Sequence, residues 1–195
     1  MLRLFIAVDP PADLRANVEA LMGQVHNARW VNPRQLHITL RFMGDTPDDA
    51  LSSIRDRLAR VKQDCFNLQL RGAGVFPESR SGKSRNPPKV LWLGIEPAKE
   101  LANLKRGIDA ALGGDPVQQP FSPHLTVARF PRPPDHTLAT FLAKQRDYCS
   151  PAWPVASFVL YQSTLRREGA IHAVVESYAL AQHYREERAS PDPVS

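Results

Sequence analysis

The same four-residue pattern occurs twice in this 195-residue chain, as His37-Ile38-Thr39-Leu40 and as His124-Leu125-Thr126-Val127. Each copy lies in a stretch where polar and apolar residues alternate, the mark of a strand with one face buried. The chain has 6 His and 6 Thr. Chance then supplies about 0.2 His-x-Thr pairs, so two in matching surroundings form a constellation rather than an accident. On a strand, residues i and i+2 share a face about 6.6–6.8 Å apart. His37 and Thr39 are expected on one face while Ile38 and Leu40 enter the core. His124 and Thr126 repeat the arrangement above Leu125 and Val127. Two such strands facing each other across a cleft bring two imidazoles and two hydroxyls together.

The rest of the chain reads as short elements separated by proline, which accounts for 18 residues. Strands are expected at 2–8, 36–42, 66–75, 90–95, 124–130, 155–161 and 171–180. The last two suggest a hairpin around Arg167 to Gly169. A first helix carries Leu14, Val18, Leu21, Met22 and Val25 on one face. A second is announced by Thr46-Pro47 with Asp48 and Asp49 in its first turn. A third holds Leu101, Leu104, Ile108 and Leu112 and stops at Gly113-Gly114, and a short fourth lies around Leu138 to Leu142. Some adjacent strands have no helix between them, which favours antiparallel pairing and an α+β class over a doubly wound sheet. The length suits one domain, expected over 1–184, followed by a polar tail at 185–195.

Several function classes are excluded at this level. No apolar run approaches the length of a membrane span, and the N-terminal MLRLFIAVDPP lacks the apolar region and cleavage site of a secretory leader. Cys65 and Cys149 are too few for a disulfide framework, have no metal-ligand spacing and read as small buried hydrophobes. A cytoplasmic, reduced, monomeric protein is the expectation. Neither GxGxxG, a Walker loop nor a Gly-x-Ser-x-Gly elbow is present. The formal net charge is +5. Arg71, Arg80, Lys83, Arg85 and Lys89 against Glu78 concentrate most of it between 71 and 89, either a solvated loop or a contact for an anionic partner.

Two imidazoles and two hydroxyls suit in-line displacement at a phosphodiester. One imidazole, neutral, takes the proton of the attacking water. The other, protonated, delivers one to the leaving oxygen. The hydroxyls can donate to the non-bridging oxygens, where transition-state charge collects. No metal or other cofactor is required by this scheme, and neither motif carries the carboxylate expected of a two-metal hydrolase. His26, His136 and His183 read as surface residues, and Trp30, Trp92 and Trp153 as packing residues.

The residues carry a resemblance. The paired motifs resemble those of the two-histidine phosphoesterase superfamily. Within it the chain is most similar to the RNA 2′,3′-cyclic phosphodiesterases, also called the 2′-5′ RNA ligase family. The similarity runs through Arg3-Leu4-Phe5-Ile6-Ala7-Val8, through Leu36 to Leu40 with Phe42 and Gly44, and through Val90-Leu91-Trp92-Leu93-Gly94. It continues over Phe121 to Arg129 and Leu160-Tyr161-Gln162-Ser163. The family carries Tyr near the position of His172, a departure in this chain. The resemblance implies a bilobed α+β fold, two antiparallel sheets flanked by helices about a central groove with a pseudo-twofold repeat of the motif. It implies metal-independent hydrolysis of an RNA 2′,3′-cyclic phosphate end to a 2′-phosphate, with reverse 2′-5′ joining as an extension. His37 and His124 become the acid–base pair, Thr39 and Thr126 the phosphate clamp. Phe42 and Arg129 sit where the family sandwiches the terminal base of single-stranded RNA. Five positions beyond each His, a regular strand points the wrong way, so a bulge or strand end must intervene. Rival readings are a phosphodiesterase for small cyclic nucleotides or ADP-ribose derivatives, a zinc site using His37 and His124, and a non-catalytic RNA-binding module.

Overall fold

Two successions of strand, helix, strand, helix, strand make up most of the chain, and each lends its last strand to the other's sheet. In the computed structural model residues 1–77, 87–114, 120–166 and 169–181 are described. The first succession is β1 (Leu2–Val8), α1 (Ala12–Glu19), β3 (Ile38–Thr46), α2 (Ala50–Leu58) and β4 (Phe66–Phe76). The second is β5 (Val90–Glu96), α3 (Ala98–Ala111), β6 (His124–Arg129), α4 (His136–Lys144) and β8 (Ser157–Arg166). A two-residue β2 (Arg29–Trp30), β7 (Trp153–Val155) and β9 (Gly169–Ala179) complete the set. One sheet has the order β3-β1-β8-β9 and the other β2-β6-β5-β4-β7, every ladder antiparallel. Thus β3-β1-β8 in one sheet matches β6-β5-β4 in the other. The expected α+β class and doubled motif are both present.

Alternation decides which side of each sheet is dry. On β5, Leu91, Leu93 and Ile95 are buried while Val90, Trp92 and Gly94 are half-buried on the other face. Ile38 and Leu40 on β3, and Leu125 and Val127 on β6, enter the core as their spacing requires. They join Leu14 and Val18 of α1, Ile54 and Leu58 of α2, Leu101, Leu104 and Ile108 of α3, and Leu138 and Phe141 of α4 in one continuous cluster. Asp135 starts α4 by accepting the backbone N–H of Thr137 at 2.9 Å, satisfying one of the free donors of the first turn. Gly113 and Gly114, both at positive φ, end α3 where glycine tolerates that conformation best.

Local signals mislead at two places. α1 ends at Glu19, because the chain turns through Gly23 at φ 82°; Leu21, Met22 and Val25 still pack inward, but from turns. Thr46 does not cap α2. Residues 44–46 are instead drawn into β3 by pairing with Leu2, Arg3 and Leu4 of β1, and Asp49 is the N-cap of α2 without a side-chain bond. Cys149 is exposed and Cys65 half-buried, so neither is the buried hydrophobe expected. His183, the tail at 185–195, the tip of the β8–β9 hairpin at 167–168, and Glu78, Arg80, Lys83 and Arg85 lie outside the described residues. Arg71, which is described, pairs with Glu96 at 3.7 Å.

The candidate active site

Both motif histidines are held the same way. The Nδ1 of His37 lies 2.7 Å from the carbonyl oxygen of Gln35, and the Nδ1 of His124 lies 2.8 Å from that of Ser122. A carbonyl can only accept, so Nδ1 must carry the proton in each ring. Nε2 is left, in the neutral form, with its lone pair for chemistry. The supports beneath are also alike. Pro33–Gln35 forms one 3-10 turn, capped by the Asn32 side chain accepting from the Arg34 N–H. Arg15 of α1 holds that turn by donating to the Pro33 carbonyl at 2.8 Å. On the other side Lys105 of α3 lies over the Phe121 ring, 5.9 Å from its centre, just before His124.

The strands bulge where the motif needs them to. Against β1, Ala7 pairs with Thr39 and Phe5 with Phe42, with Leu40 passed over between them. Against β5, Trp92 pairs with Thr126 and Val90 with Arg129, with Val127 passed over. Phe5 and Ala7 are two apart and so share a face, as do Val90 and Trp92. Thr39 and Phe42 therefore share one face of the first sheet, and Thr126 and Arg129 one face of the second. In each copy the extra residue is the third after the histidine, and it restores the parity that a regular strand would break. The displaced Val127 carbonyl is not wasted, since it accepts the Val31 N–H at 2.9 Å.

The two sheets meet where β3 and β6 run past each other. Arg129 is close enough across this meeting for its charge to act on His37. Burial is the main cause that pushes the His37 imidazole below its ordinary value. The Gln35 carbonyl and Asp9 oppose it, and Arg129 and Arg15 add to it. Neither the Thr39 nor the Thr126 hydroxyl has a hydrogen-bond partner among the described residues. Phe42 is 70% exposed, an unusual cost for a phenylalanine, and leaves a bare ring beside the motif.

The wall behind His37 is aromatic. Phe5 lies 4.9 Å from the His37 ring centre, stacks on Tyr161 at 5.1 Å and meets His172 edge-on at 4.8 Å. The Tyr161 hydroxyl donates to Asp9 at 2.6 Å. His172 enters because Tyr161 pairs with Val174, and Ser163 with His172, on the face that Phe5 and Tyr161 share. Its Nδ1 is buried with no partner. Behind His124 stands Phe76, edge-on at 5.0 Å, itself against Trp92. The sequence singled out His37, Thr39, Phe42, His124, Thr126 and Arg129, and the fold groups them as two matching triplets. It did not place His172, because that residue joins the site only through the register of β8 with β9. Among the described residues, no three His, Cys, Asp or Glu side chains gather as metal ligands, and no helix is long and apolar enough to cross a membrane.

A sequence profile of the 2′-5′ RNA ligase superfamily matches residues 10–167. The chain belongs to that family. A Thermus thermophilus protein named RNA 2′,3′-cyclic phosphodiesterase is 32% identical over 205 residues, covering 97% of this chain and 96% of its own. Among solved structures, a Thermus thermophilus crystal structure superposes with a TM-score of 0.75 at 28% identity, over 94% of this chain and 100% of the other. Escherichia coli LigT in its apo form gives 0.70 at 26% identity, over 93% and 98%. The α+β architecture of the paired sheets is thus shared with this family of phosphoesterases.

Proposed function

We propose that this member of the 2′-5′ RNA ligase superfamily hydrolyses the 2′,3′-cyclic phosphate end of an RNA strand to a 2′-phosphate, without a metal ion. The observation that carries the reading is the identical seating of two imidazoles, each with Nδ1–H on a carbonyl two residues back and Nε2 free, beside two unpartnered hydroxyls. The names of relatives covering nearly the whole chain support the substrate class.

His37 is the base. Its burial and the charges of Arg129 and Arg15 favour the neutral ring, so Nε2 takes a proton from water as the water oxygen bonds to phosphorus. The bond from phosphorus to O3′ breaks, and His124, protonated, gives its Nε2 proton to O3′. The products are a 2′-phosphate and a 3′-hydroxyl. Thr39 and Thr126 donate to the non-bridging oxygens as their charge grows, and Phe42 and Arg129 hold the terminal base between them. With the 5′-hydroxyl of a second strand in place of water, the same groups form a bond from phosphorus to O5′ as the bond to O3′ breaks and O3′ takes the His124 proton, which leaves a 2′-5′ linkage.

The test is an RNA ending in 2′,3′-cyclic phosphate incubated with the protein in excess EDTA, with 2′- and 3′-phosphate products resolved. Clean 2′-phosphate is expected, with His37→Ala and His124→Ala each slower by about 10²–10⁴-fold. Turnover that appears only on adding zinc or manganese would instead mean a metallohydrolase. RNA retained with no turnover under any condition would mean a binding module.

A further inference from the structure

Arg29 of β2 pairs directly opposite Arg129 of β6. Two cations facing each other across a ladder repel, and such a pair persists where something anionic sits between or above it. Neither side chain has a hydrogen bond or ion pair to any described residue. Elsewhere arginines in comparable reach of carboxylates use them: Arg15 lies 3.9 Å from Asp9, Arg41 3.1 Å from Asp109 and Arg71 3.7 Å from Glu96. Because Arg129 shares a face with Thr126, its cross-strand partner Arg29 shares it too. Along β5 the partners of Thr126 and Arg129 are two residues apart, about 6.8 Å, and Arg29 lies a further roughly 5 Å sideways. Arg29 therefore stands beyond the reacting phosphate, past the position of the terminal nucleoside.

The opposite wall at that end is apolar. Leu165 and Ala170 pair on the face that carries Tyr161, Ser163, His172 and Val174. Leu165 is 65% exposed and Val174 61%. Arg29 reaches the end of this hairpin, since a Cβ added to Gly169, the residue before Ala170, would lie 3.2 Å from its Nη2. A guanidinium without a partner among the described residues, at the hairpin end that also carries the exposed Leu165, is a site for one more nucleotide.

We infer that Arg29 and Leu165 form a subsite for the nucleotide preceding the cyclic end. Arg29 takes the linking phosphodiester and Leu165 packs against the base. This rests on the phosphodiesterase reading and deepens it, making an RNA strand rather than a lone cyclic nucleotide the preferred substrate.

The experiment compares adenosine 2′,3′-cyclic phosphate with the adenosine dinucleotide ending in 2′,3′-cyclic phosphate, for the full chain and for Arg29→Gln and Leu165→Ser. Arg29→Gln should lose about tenfold in kcat/KM on the dinucleotide, chiefly through KM, and stay within about twofold on the mononucleotide. Its dependence of log kcat/KM on log salt should flatten by about 0.7 on the dinucleotide alone. Leu165→Ser should lose selectivity in the same direction with an unchanged salt slope. Equal losses on both substrates, or no loss on either, overturn the subsite. No turnover of either substrate by the unaltered chain overturns the phosphodiesterase reading itself, and the subsite with it.

Discussion

The His172 ring stands edge-on to the His37 ring, the centres 5.2 Å apart and the planes at 88°. Two imidazoles at that distance resist being protonated together. Burial first, and the neighbouring His37 second, push His172 down to about 4. It is therefore neutral at pH 7, and its unpartnered Nδ1 holds a lone pair more cheaply than an N–H.

Stability should follow from this. An unfolded histidine takes its proton near 6.5, so below that pH the unfolded chain binds a proton that folded His172 refuses until about 4. The contribution is fully present above about 6.5 and is lost as pH falls towards 4. Melting temperatures at pH 7 and pH 5 should differ less in His172→Phe than in the unaltered chain. His37, also depressed, keeps part of the slope. An identical difference in both proteins would refute this role for His172.

The pH dependence of kcat/KM should show Arg129 acting on His37. With His37 as the proposed base, the ring must be neutral, so activity should rise as pH climbs through the lowered His37 value. Arg129→Gln removes a cation that helps to lower it, so the acid-side limb should move to higher pH even if the maximum also drops. A limb that stays in place would mean that the charge does not reach the ring.

Gly74 has no room for a side chain. A Cβ there would sit 2.2 Å from Cζ2 of Trp92. Gly74→Ala must displace the indole, and Trp92 supports Phe76, which in turn meets His124. A loss of about 1–3 kcal/mol by urea unfolding is expected, with a fall in kcat larger than any change in KM. Unaltered kcat would show that the second histidine does not depend on this floor.

Arg41 of β3 is buried against Asp109 of α3, which Lys105 also holds at 2.7 Å. Asp109→Ala leaves that guanidinium without its carboxylate, at a cost of about 3 kcal/mol. For a chain of this size that is about 10 °C in Tm. A shift under about 2 °C would mean that water reaches Arg41 and replaces the lost partner.

The motif strands were legible because a His-x-Thr alternation carries its own orientation: Ile38 and Leu40 are apolar, so their neighbours must face out. The bulge was legible as a necessity, though not its place at Leu40 and Val127, which the registers with β1 and β5 decide. Thr46-Pro47 misled because a good local cap signal lost to long-range pairing with Leu2. Arg29 left no trace at all, and His172 showed only as a departure from the family's Tyr. A two-residue strand has no period to detect, and His172 reaches the site only because Ser163 lies opposite it.

The exchange of β4 and β8 gives the chain the form of a domain-swapped dimer whose two subunits have been fused end to end. Neither half can finish its own sheet. Cutting between β4 and β5 should therefore yield two fragments that are separately unfolded and become ordered only in each other's presence. Each sheet is completed by a strand from the other half, so the chain ties the two sheets together at both crossings.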